Sequence, residues 1–223
     1  MNPVLFAGFL VFAIVSSITP GPNNLMLMAS GSIHGLKRTL PHMAGVVLGF
    51  GGMTLAVGLG AAGLFRVMPW LYGVLRWGAA AYLLYIAYRM ATAKGAGTGF
   101  GKGRPMSFLG AVAFQWINPK AWVMALGAVT TYAEADRLTA DVVLIALVFM
   151  LVNVPCALTW TTFGVNIRRY LKAPGRLRAF NWTMAALLIA SLYPLVTEPL
   201  GAKAAGPKSA SVQASSAASS APR

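Results

Sequence analysis

Long stretches of this 223-residue chain carry no charged side chain, and two of its long apolar segments are cut by proline together with polar residues. No Asp, Glu, Lys or Arg occurs from Pro3 to Ser32, from Thr39 to Phe65, or from Val142 to Ile167. Runs of this length match the ~20 apolar residues that a helix needs to cross a bilayer. The first run contains Pro20-Gly-Pro-Asn-Asn24, and a later segment, Met106 to Tyr132, contains Asn118-Pro-Lys120. Proline removes a backbone donor and clashes with the preceding turn, so a helix is expected to break or kink at both places. Inside a membrane the freed N–H and C=O groups are tolerated only where protein or a wet cavity satisfies them. The expectation is that the two breaks face each other and frame a path for a solute.

Composition narrows the class. Charged residues are 10% of the chain and hydrophobic ones 57%, with mean hydropathy +0.68; a soluble domain carries roughly 25% charged residues. The chain therefore reads as an all-α, polytopic integral membrane protein whose solvent is the lipid bilayer. Its net charge of +14 does not point to nucleic acid. The cations stand in short clusters between apolar runs, which is how membrane orientation is encoded. The lone Cys156 excludes an internal disulfide and supplies no cysteine metal motif. No Lys or Arg precedes the first run and no A-x-A-like site follows it, so a retained spanning helix is expected rather than a cleaved signal peptide.

Six spans are predicted: Pro3–Thr19, Thr39–Phe65, Trp70–Tyr88, Met106–Tyr132, Val142–Ile167 and Ala179–Thr197. Leu25–Ser32 continues the first span beyond its break, residues 33–40 form a connection, and Asn153-Val-Pro155 interrupts the fifth span. Gly45 and Gly49 stand four apart, a spacing that lets another helix approach closely. Lys37 and Arg38 lie in the first connection. Arg89, Lys94, Lys102 and Arg104 fill the third, and Arg168, Arg169, Lys172, Arg176 and Arg178 the fifth. The second and fourth hold little more than Arg66 and Arg137. By the positive-inside rule the odd connections are cytoplasmic and both termini lie outside the cytoplasm. The transmembrane domain covers residues 1–200, and 201–223 is an Ala/Ser/Gly/Pro tail with no capacity to form a core. Residues about 3–90 and 106–199 read as two three-span halves, each opening with a proline-broken helix. An odd number of spans makes them an inverted repeat, an arrangement that places substrate near the midplane at the broken helices.

An amino acid offers a carboxylate and an ammonium, so its path needs donors at one end and acceptors at the other. The helix restart after Pro20, Gly21 and Pro22 points N–H groups and the Asn23 and Asn24 side chains inward, a cradle suited to an anion. Lys120, beside Pro119, can meet a carboxylate as a point charge; alternatively it lies at the headgroups. Asn23 and Asn24 can equally cap the following helix. Gln115 and Asn118 either line the path or satisfy the broken backbone. Asn153 and Thr159 either supply acceptors or link packed helices. His34 and His42 are candidates for proton coupling, with an interfacial position as the plainer reading. No catalytic constellation is present, so the chain is not read as an enzyme. A channel or facilitator for small polar solutes is the alternative to a coupled transporter, with a homo-oligomer as a candidate assembly.

Thr19-Pro-Gly-Pro-Asn-Asn24, Ser32-Ile-His-Gly35, Gly45-x-x-x-Gly49, Pro105-x-Ser-Phe108 and Phe114-Gln-x-x-Asn-Pro-Lys120 together resemble the LysE/RhtB amino-acid exporter family, over about residues 3–197. The pairing with SxHG and PxSF is also similar to the branch that exports cysteine and O-acetylserine. The resemblance implies a cofactor-free inner-membrane exporter of small amino acids or their derivatives, driven by an ion gradient. Some members carry an aspartate at or beside the position of Phe50, and its absence here argues against a lysine or arginine substrate. Asp141 resembles another aspartate of the family in place and is the one acid expected near the path, a further candidate for proton coupling.

Overall fold

The computed structural model describes residues 1, 3–61, 69–92, 104–167, 170 and 173–190. The second connection around Arg66, Lys94 and Lys102 of the third, Arg168, Arg169 and Lys172 of the fifth, residues 191–197 of the sixth predicted span, and the tail lie outside the described residues. The described residues form helices and no strand: α1 (Pro3–Ile18), α2 (Pro22–Ala56), α3 (Pro69–Ala91), α4 (Phe108–Ile117), α5 (Pro119–Tyr132), α6 (Leu138–Ile167) and α7 (Pro174–Ala190).

Proline and glycine set most of the ends. Thr19 precedes Pro20 and is disfavoured in the α region, so α1 stops at Ile18. Pro22 opens α2, where a missing N–H costs nothing. The first break is thus confined to residues 19–21, and Asn23 and Asn24 belong to the first turn of α2. The connection expected over residues 33–40 shrinks to one residue, Gly35, at φ 76°, ψ 172°. That backbone position suits glycine, and through it α2 folds back on itself. Ser30 Oγ lies 2.9 Å from Thr39 Oγ1, whereas nine residues of straight helix span about 13.5 Å. Leu27 on the first arm packs with Met43 and Val46 on the second.

The second break is equally local. Ser107 caps α4 by accepting from Gly110 N at 3.1 Å. Asn118 then leaves the helix at φ −83°, ψ 109°, and Pro119 starts α5. The interruption expected at Asn153–Pro155 is not a break: α6 runs through Pro155 without leaving the helix. One N–H is lost there, the helical donor to Leu151 O, while Asn153 Nδ2 adds a bond to Phe149 O at 2.9 Å and Thr159 Oγ1 one to Pro155 O at 2.8 Å in the flanking turns. Asn153 and Thr159 both act partly as backbone partners within α6.

Beside the cluster of Leu27, Met43 and Val46, two larger apolar clusters hold the helices. Phe9, Phe50 and Phe149 join α1, α2 and α6, with Phe149 edge-on to Phe9 at 5.2 Å and to Phe50 at 5.0 Å. Leu83 and Ile86 of α3 pack with Met184 and Leu188 of α7, alongside Leu25 and Phe114. Gly45 and Gly49 press α2 onto α4: a Cβ at Gly45 would strike Phe108 O, and one at Gly49 would sit 2.7 Å from Val112 Cα. Pro22–Gly60, folded at Gly35, and Ala135–Ile167 are long and apolar enough to cross a membrane, while Pro3–Ile18 and Phe108–Ile117 are shorter apolar helices. Val11, Val15, Leu147 and Leu151 turn outward, as lipid-facing residues do.

Candidate functional site

A helix that stops at Ile18 leaves its last carbonyls without partners along the chain. Side chains from elsewhere take them up. Asn24 Nδ2 donates to Ser17 O at 2.8 Å and to Thr19 O at 2.9 Å. Trp160 Nε1 on α6 donates to Ile18 O at 3.0 Å. Lys120 Nζ, from the other break, donates to Thr19 O at 2.6 Å. Asn24 therefore closes the helix before it rather than capping the one it begins. Gly21, at the start of α2, has no side chain to cap that helix. Pro22 has no N–H, and the backbone amides of Asn23 and Asn24 have no acceptor among the described residues.

At the second break Asn118 Oδ1 accepts from Lys120 N at 3.2 Å, so this buried carboxamide caps α5. Lys120 thereby sits in the first turn of α5 with its stem against Gly21. The two breaks are also joined by amides. Asn23 Nδ2 donates to Gln115 Oε1 at 2.8 Å, and Gln115 Nε2 returns a bond to Asn23 Oδ1 at 3.2 Å while also donating to Ala111 O. Gln115 is completely buried.

Between the breaks lies a cleft with about 320 Å³ of empty space, its open mouth included. Gly21, Asn23, Asn24, Asn118, Lys120 and Asn153 line it, with Ser16, Ser17, Phe50, Ala121 and Met124. Gln115 is reached through Asn23, and Pro20, Pro22 and Pro119 contribute by shaping the backbone. Among the described residues the lining holds one cation and no acid. It can offer an ammonium and free N–H groups to an anion, and carbonyl and carboxamide oxygens to a cation.

Asp141 lies elsewhere, contrary to the expectation that it stands near the path. Its carboxylate accepts from the Met1 ammonium at 2.8 Å and from Glu134 N at 3.0 Å, and the same hydrogen bond holds that ammonium above its ordinary pKa. This is the opposite end of α1 from the break, about 24 Å along a 16-residue helix. His34 and His42 do not line the cleft either. His42 is buried with neither ring nitrogen partnered, and His34 Nε2 is likewise buried without a partner.

Sequence reasoning missed Ser16, Ser17, Thr19 as an acceptor, and Trp160. The adjacent serines just before Thr19-Pro20 were the available signal, because hydroxyls at a helix end commonly serve its carbonyls. Ser16 Oγ does so, bonding Phe12 O at 2.6 Å. Ser17 Oγ is buried and has no partner among the described residues. Trp160 is 142 positions from Ile18, and only the packing of α6 on α1 brings them together.

Residues 14–192 match the model of a family described as LysE type translocator. A cysteine/O-acetylserine efflux protein of Klebsiella pneumoniae is 30% identical over 199 residues, covering 89% of this chain and all of that protein. A protein of the same description from Escherichia coli K12 is 28% identical over 194 residues, covering 85% of this chain and 96% of its own length. No solved structure matches.

Proposed function

This chain belongs to the LysE type translocator family, and from that premise we propose that it exports a small, neutral amino acid or a derivative of one. Membership makes it a membrane transport protein of an efflux family. The proposal extends that to the cargo: a zwitterion of the threonine, homoserine or leucine type, or of the cysteine or O-acetylserine type. The relatives described as cysteine/O-acetylserine efflux proteins favour the latter.

The observation that carries the reading is the cleft itself. Lys120, Asn23 and Asn24 line a space bounded by both breaks, and among the described residues no acid lines it. A carboxylate is welcome there, whereas a cationic side chain would meet only neutral acceptors and Lys120. Phe50 stands in this wall, at or beside the position where some family members carry an aspartate, which also speaks for a neutral cargo.

The reading includes six spans arranged as two inverted three-helix halves, an inner-membrane location with both termini outside the cytoplasm, and exchange against protons. The short helices α4 and α5 joined at Asn118, and the proline restart at Pro22, support broken helices in each half. Everted vesicles provide the test. The exporter should accumulate labelled cysteine, O-acetylserine or threonine against a gradient, and an uncoupler should abolish the accumulation. Saturable equilibration that ignores the uncoupler would identify a facilitator instead.

A further inference from the structure

Lys120 occupies an acceptor that an amino acid would need. Its ammonium is bound to Thr19 O at 2.6 Å, on the C-terminal and therefore partially negative end of α1. Asn24 Nδ2 bonds the same oxygen, which fixes its direction. A substrate ammonium is the same chemical group as the lysine head, an –NH3⁺ on a tetrahedral carbon. With no carboxylate lining the cleft among the described residues, carbonyl oxygens are left to hold it. Lys120 reaches that carbonyl from the wall of the cleft, with its stem against Gly21.

We propose that Thr19 O, which Lys120 reaches from the wall of the cleft, is the ammonium subsite, and that Lys120 is its tethered occupant when no substrate is bound. This rests on the cargo being an amino acid and adds how it is recognised. On binding, the substrate ammonium replaces the lysine head at Thr19 O, and the released head pairs with the substrate carboxylate, which a single carbon separates from that ammonium. The free N–H groups of Asn23 and Asn24 complete the carboxylate side. A zwitterion compensates every group it disturbs. An amine without a carboxylate does not, because displacing Lys120 leaves a cation in the cleft with no partner, a costly state. The free lysine thus rejects amines, and the cleft keeps the same charge empty and loaded.

The full chain, purified in detergent, is titrated with 2-aminoethanol, an amine with no carboxylate, and its thermal midpoint is followed. Wild type should not respond. Lys120→Met should bind the amine at least tenfold more tightly, because its subsite is vacant. Gly21→Ala supplies an independent route that retains the charge. Gly21 is in extended backbone open to any residue, but a Cβ there falls 2.7 Å from Lys120 Cδ and 3.1 Å from Nζ, pushing the stem off Thr19. It too should gain binding. Equal responses in all three proteins, or none in either variant, would overturn the subsite. Vesicle transport separates the two ideas: export intact without any gain for the amine sinks this inference alone. A gain for the amine in a protein that moves no amino acid leaves the subsite standing and removes the exporter reading.

Discussion

Asn23 and Gln115, 92 positions apart, exchange a pair of hydrogen bonds, the first carboxamide donating at 2.8 Å and the second at 3.2 Å. The pair ties the start of α2 to the last turns of α4 and holds the two breaks at one level. Gln115 also reaches Ala111 O, so its amide is fixed within its own helix before it meets its partner.

Removing one carboxamide leaves the other short of a partner in a buried place. Gln115→Leu and Asn23→Leu should each lower stability by about 1–3 kcal/mol. The double variant should lose less than the sum, with a coupling of roughly 0.5–2 kcal/mol. Unfolding of the four proteins in mixed micelles measures this. Strict additivity would mean that the pair does not bind the two breaks together.

Asn24→Ala and Lys120→Ala should abolish export while the protein still inserts into the membrane. Asn24 closes the end of α1 through two carbonyls, and Lys120 is the charged group lining the cleft. Efflux of amino acid from overexpressing cells, normalised to membrane-inserted protein, reads the effect. Wild-type rates in both variants would remove these residues from the site.

Helix approach at Gly45 and Gly49 leaves no room for a side chain. Gly45→Val or Gly49→Val should therefore cost about 1–3 kcal/mol through overpacking against α4. Gly52 lies on the same helix, and a methyl group there would meet nothing within 4 Å, so Gly52→Ala should be neutral or stabilise by up to about 1 kcal/mol. Thermal midpoints that fall equally for all three would show that propensity, not contact, governs this helix.

Gly35 has open space around it and a positive φ, so Gly35→Ala tests conformation alone. A strained backbone of this kind costs about 1–3 kcal/mol, and the midpoint should drop accordingly. A cysteine pair at Ser30 and Thr39 should cross-link under mild oxidation, because their hydroxyls meet across the fold. Failure to cross-link would show that α2 does not double back at this residue.

Much of the local structure was legible in the residues. Proline has no N–H and disfavours helix in the residue before it. The ends of α1 and α4 and the starts of α2 and α5 therefore follow from Pro20, Pro22 and Pro119 wherever they are placed. Pro155 obeyed the same chemistry with a different result: one lost bond in a helix of 30 residues, flanked by side chains that bond its carbonyls, was not enough to break it. Gly35 went the other way, compressing an expected eight-residue connection into one residue, because only the fold shows which glycine adopts the left-handed side of φ.

Composition and charge spacing alone determined that this chain lives in a bilayer, since apolar runs of such length have no other good solvent, and Pro20, Pro22 and Pro119 determined where the two breaks fall. Which groups the stopped helices offer one another was decided only in three dimensions. Whether Lys120 meets Thr19, whether Asn23 meets Gln115, and whether Asp141 meets the path or the Met1 ammonium depend on how α1, α2, α4 and α6 cross. Hydrogen bonds reach about 3 Å, so contacts over some hundred positions of sequence are set by packing, which periodicity and motif do not encode.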